Sequence, residues 1–107
     1  MTGDQLTAVR AWLASPLFSR QAVDFALLWL VLKGANAMAA AKAGLAPLGF
    51  RPGSEAGALA FECFALLVFM RRAREDVLLA NLGLGVPVVL LPFALLHILL
   101  SGVVAVL

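Results

Sequence analysis

From Val77 to Leu107 the chain runs 31 residues without a Lys, Arg, Asp or Glu. About 20 apolar residues, rising 1.5 Å each, are enough to cross the hydrocarbon of a bilayer. This run is therefore long enough for one membrane span and a turn before it. The rest of the chain does not dilute the signal. Of 107 residues, 64% are hydrophobic and 13% charged, and mean hydropathy is +1.04. Soluble domains sit near half apolar and a quarter charged, and a domain this small cannot hide the excess. The chain reads as an all-α integral membrane protein.

Breakers divide it into three spans preceded by a short helix. Residues 4–15 read as an interfacial amphipathic helix capped by Asp4, with Leu6, Val9 and Leu13 on one face and Trp12 beside them. Ser15-Pro16 is an N-cap followed by proline at the first helical position, and the helix it opens extends to about Gly44. The first span is placed at about 22–43. Pro47, Gly49, Pro52 and Gly53 make a loop, Ser54 is the expected cap of the next helix, and the second span covers about 55–71. Glu75 to Gly83 reads as a short helix ending in glycine. The third span, about 87–107, begins at Pro87 and should bend at Pro92.

Lys and Arg are distributed unequally between the two ends of these spans. Arg10, Arg20, Arg71, Arg72 and Arg74 lie on one side, Lys42 and Arg51 on the other. The positive-inside rule then puts the N-terminus in the cytoplasm; a bacterial inner membrane is the expected location. No signal peptide is expected, since Asp4 precedes the first Arg and no apolar core follows it. The net charge of +2 belongs to span flanks, so no nucleic-acid partner is expected.

Within the spans, Lys33, Glu62 and His97 fall near the middle of the first, second and third, respectively. Each ionisable residue at that depth costs about 2.5–3.5 kcal/mol or more, so intramembrane charges cluster and mark sites. Two readings follow. In one, a Lys33–Glu62 pair with His97 as neutral partner fixes how the helices dock. In the other, the three residues line a proton relay or polar path. His97 has a further option as the single axial ligand of a tetrapyrrole pigment. Ser101 and Cys63 have no base at catalytic spacing, and neither paired carboxylates nor a metal-ligand set is apparent in the sequence. An enzyme is not expected, and Cys63 reads as a small buried hydrophobe.

Small residues recur at helical spacing: Ala35, Ala39 and Ala43 in the first span, Gly53, Gly57 and Ala60 around the start of the second. Such residues let membrane helices approach closely, so a tight hairpin of spans one and two is expected there. The half of the spans that includes Phe25, Leu27, Leu28, Phe64, Leu67 and Phe69 should face lipid, pigment or a partner. The features together point to a non-catalytic accessory subunit bracing a larger bacterial membrane complex, photosynthetic or respiratory for example. It would be hetero-oligomeric, surrounded by membrane lipids and other subunits, without a definite cofactor of its own and at most touching a partner's pigment or lipid. The alternative is a small oligomeric transporter or channel component, or a permease partner, using Lys33, Glu62 and His97.

Overall fold

A computed structural model describes residues 3–107, which form five helices: α1 (Gly3–Leu13), α2 (Pro16–Lys42), α3 (Pro52–Arg72), α4 (Glu75–Asn81) and α5 (Val86–Ala105). Three of them, α2, α3 and α5, are long and apolar enough to cross a membrane. They pack against one another as a bundle, with α1 on α2 and α4 on α3. One end carries α1 and the α3–α4 elbow. The other carries the α2–α3 hairpin.

Local chemistry sets the helix ends. Ser15 caps α2, its hydroxyl accepting the Phe18 N–H at 3.3 Å, with Pro16 in the first turn. At the far end of α2, Gly44 takes φ +77°. The Leu45 N–H then reaches back to the Ala40 carbonyl at 2.9 Å and the Gly44 N–H to that of Ala41 at 3.1 Å. Gly83 (φ +79°) ends α4 in the same way, with Leu84 N–H on the Leu79 carbonyl at 3.0 Å. Both are glycine caps that satisfy otherwise orphaned carbonyls, and the second also buries Leu79 and Leu84 together. The expected Ser54 cap is not used. Helix α3 starts earlier, from Arg51, because Pro52 supplies a preset φ at a position that needs no N–H donor. Helix α5 continues through Pro92 as one element.

Each span buries one narrow stripe. In α2 it is Gln21, Phe25, Trp29, Lys33 and Ala40; in α3, Glu55, Glu62, Leu66 and Met70; in α5, Val89, Phe93, His97 and Ser101. Steps of three or four residues, sometimes doubled, keep each set on one helix face. Toward the elbow end the stripes meet as an apolar and aromatic core. Phe93 is its hub, with ring centroids 5.4 Å from Phe25, 5.5 Å from Phe18 and 5.9 Å from Trp12. Two expectations change here. Phe25 is fully buried rather than lipid-facing, although Leu27, Phe64 and Phe69 do point outward. Trp12 is buried too, so α1 is pinned to the bundle by its indole.

The expected small-residue hairpin seam is also displaced. Ala35, Ala39, Ala43, Gly53, Gly57 and Ala60 are all exposed, and a Cβ added at Gly53 or Gly57 would meet nothing within 4 Å. The faces of α2 and α3 that meet carry Lys33, Ala40 and Glu55 instead. The physical reason is that apolar side chains gain little by leaving lipid for protein, whereas a charged side chain gains a great deal. The polar stripe therefore decides which faces turn inward.

Candidate functional site

Toward the hairpin end the three stripes change from apolar to polar. Lys33 and Trp29 come from α2, Glu55 and Glu62 from α3, His97 and Ser101 from α5, and all six are buried. Glu55 and Glu62 stand seven residues apart, two helical turns, and so share a face. His97 and Ser101 stand four apart, as do Trp29 and Lys33.

The six side chains form one continuous network. Lys33 Nζ donates to Glu55 Oε1 at 2.7 Å. The other oxygen of Glu55 accepts from Ser101 Oγ at 2.9 Å and lies 2.7 Å from His97 Nε2. Ser101 Oγ in turn accepts the Trp29 indole N–H at 2.9 Å. His97 Nδ1 lies 2.6 Å from Glu62 Oε1. The second oxygen of Glu62 is buried without a hydrogen-bond partner among the described residues.

Lys33 and Glu62 therefore belong to one cluster, as their depths suggested, but they are not a pair. Lys33 pairs with Glu55, and His97 holds the position beside Glu62. The lysine stem is long enough to carry its ammonium away from its own depth toward the helix end, which is ordinary snorkelling. Sequence reasoning missed Glu55 because it lies in the first turn of α3, where a carboxylate usually meets water and favours the helix dipole. Its spacing to Glu62 was the available signal. The reading that paired carboxylates are lacking is corrected, since Glu55 and Glu62 bracket His97. Ser101, set aside for want of a neighbouring base, contacts one.

The network also has a definite proton count. A neutral imidazole has one N–H and one lone pair, and here both ring nitrogens face carboxyl oxygens. One further proton must lie in these contacts, on His97 or on a carboxyl group. With Lys33 charged, either placement leaves the cluster with no net charge, which is what a site inside a bilayer requires. Both ring nitrogens of His97 are thus engaged by carboxyl groups, and its side chain is 2% exposed. Among the described residues no group of His, Cys, Asp and Glu is arranged to hold a metal ion. Cys63, expected to be buried, is partly exposed.

A second polar cluster lies at the elbow end. Trp12 Nε1 donates to Gln21 Oε1 at 2.9 Å, and Gln21 Nε2 donates to Glu75 Oε2 at 2.9 Å. Arg20 forms an ion pair with the other Glu75 oxygen. This cluster ties α1 and α4 to the start of α2. Nothing in the sequence spacing announces it, because Gln21 and Glu75 are 54 positions apart.

Comparison of the chain with family models, with curated proteins and with solved structures finds no match.

Proposed function

We propose that this protein is a non-catalytic, multi-pass subunit that packs against and stabilises a larger assembly in a bacterial inner membrane, with its N-terminus in the cytoplasm. The observation that carries this reading is the direction in which polar and small residues face. Lys33, Glu55, Glu62 and His97 are turned inward and engage one another. Gly53, Gly57, Ala35 and Ala60 face outward, with open space around the glycines. The first turns of α3 thus present glycine and alanine outward, with Phe61 and Phe64 exposed beyond them, and small residues of this kind are suited to close approach by another membrane helix. The internal network then sets the docking geometry of α2, α3 and α5, a use to which buried ion pairs are suited even where they add little stability.

Purification of the native protein in mild detergent tests this. The expected result is co-migration with larger membrane subunits, lost in Gly57→Leu although the isolated variant keeps the parent's thermal stability. A lone chain or a homo-oligomer in the parent preparation overturns the reading.

A second reading, proton transfer through the membrane, draws on one specific observation: His97 is held between two carboxyl groups, one of which has an unpartnered oxygen. Reconstitution in liposomes with an internal pH dye separates the two readings. Proton flux abolished by Glu62→Gln supports the relay; parent vesicles as tight as empty ones support the structural subunit.

A further inference from the structure

The elbow between α3 and α4 carries the densest charge in the chain, and most of it is unused. Arg71, Arg72 and Arg74 are exposed, and none of their guanidinium groups has a hydrogen bond or ion pair with a described residue. The elbow is held by Arg74 in the left-handed region, φ +60°, a conformation that side chains other than glycine seldom adopt. Beyond it, α4 returns alongside α3. The result is a crevice lined by Arg71, Arg74, Asp76, Val77, Leu78 and Asn81. Asp76 lines it and also lines a second, apolar cavity of about 280 Å³ between α3, α4 and α5, where Leu67, Met70, Leu84 and Val89 are among the walls. A cationic crevice thus adjoins an apolar cavity at the level where spans end.

We infer that the elbow is a binding site for one anionic glycerophospholipid. The phosphodiester lies between Arg71 and Arg74, polar headgroup atoms reach Asn81, and an acyl chain enters the apolar cavity. Two guanidiniums and one carboxylate leave the crevice at +1, the complement of a headgroup with a single negative charge. Guanidinium is the side chain best matched to phosphate oxygens, presenting two parallel donors to two acceptors. Asp76 opposes the anion and so sets the affinity below what the arginines alone would give. Arg72 does not line the crevice and serves as a control of equal charge.

Lipid titration followed by native mass spectrometry of the full chain, with phosphatidylglycerol and phosphatidylcholine of matched acyl chains, tests the assignment. The parent should retain one phosphatidylglycerol in preference to phosphatidylcholine. Each basic residue near an anionic headgroup contributes about fivefold in affinity, so Arg71→Ala with Arg74→Ala should weaken phosphatidylglycerol binding about 30-fold. Arg72→Ala should change it by less than about threefold, an expectation set by its place outside the crevice, where only screened surface potential acts. Asp76→Asn should tighten binding, a gain of function that misfolding cannot imitate. Excess inorganic phosphate should leave the lipid bound, because it has no acyl chain for the cavity. Equal losses in the Arg72 and the Arg71/Arg74 variants would reduce the site to bulk surface charge. Displacement by inorganic phosphate, or weaker binding in Asp76→Asn, would equally overturn it.

Discussion

Two hydrogen-bonded chains in this molecule have the same grammar and differ in how far water reaches their cation. At the elbow, an indole N–H donates to a polar side chain, which donates to a glutamate paired with a cation: Trp12, Gln21, Glu75, Arg20. In the bundle the order is Trp29, Ser101, Glu55, Lys33. The cation of the first is 56% exposed and that of the second 10%. Water reaches the cation end of the first chain, at Arg20, although Trp12, Gln21 and Glu75 are buried, and it has little access to any member of the second. The bundle chain is also extended by His97 and Glu62, which the elbow chain lacks. The same interactions therefore act as a clasp at one depth and as a determinant of helix packing at the other.

Removing one charge from each chain tests that contrast most directly. Lys33→Met leaves Glu55 buried without its cation, and breaking a buried pair in this way costs roughly 3–5 kcal/mol. A large drop in thermal midpoint in detergent is expected. Lys33→Met with Glu55→Gln should recover most of it, whereas Lys33→Met with Glu62→Gln should not, since Lys33 does not contact Glu62. Equal rescue by both doubles would show that the cluster responds only to total charge.

A smaller effect is expected from Gln21→Leu. It removes the acceptor of the Trp12 indole and a donor to Glu75; the buried indole N–H left unsatisfied costs about 1–3 kcal/mol, while Glu75 keeps its ion pair with Arg20. Release of α1 should appear as increased quenching of Trp12 fluorescence in a variant lacking Trp29. Unchanged quenching would mean that Phe18 and Phe93 hold the indole without its hydrogen bond.

Smaller still is Arg20→Gln, because an exposed ion pair is worth about 0–1 kcal/mol and is screened by salt. Its thermal midpoint should lie close to the parent's at 0.5 M salt. A deficit as large as that of Lys33→Met would erase the distinction between the two depths. Gly57→Leu completes the series, with a change in the isolated chain within about 0.5 kcal/mol, as for a surface substitution.

Much of the architecture was legible because it depends on local signals. Ser15-Pro16 marked a helix start, and the apolar windows marked three spans, all of which are present. Helix limits were less legible where two signals competed, as at Pro52 and Ser54. Of the site, Lys33, Glu62 and His97 stood out as polar residues in apolar surroundings. Glu55 and Ser101 did not, since a carboxylate in a helix's first turn and a serine within an apolar run both have ordinary explanations.

The sequence by itself determined that the chain is helical, that it has three membrane-span-like segments, and that its basic residues concentrate at one end. These follow from composition and from spacing along one helix at a time. Only the tertiary structure decided that Lys33 meets Glu55, that His97 lies between two carboxyl groups, that Trp12 reaches Gln21, and that the alanine and glycine faces stay outside. In lipid the apolar residues have little preference between a neighbouring helix and an acyl chain. The choice among helix faces therefore falls to a few polar groups, whose partners are selected by rotation and depth across three helices at once.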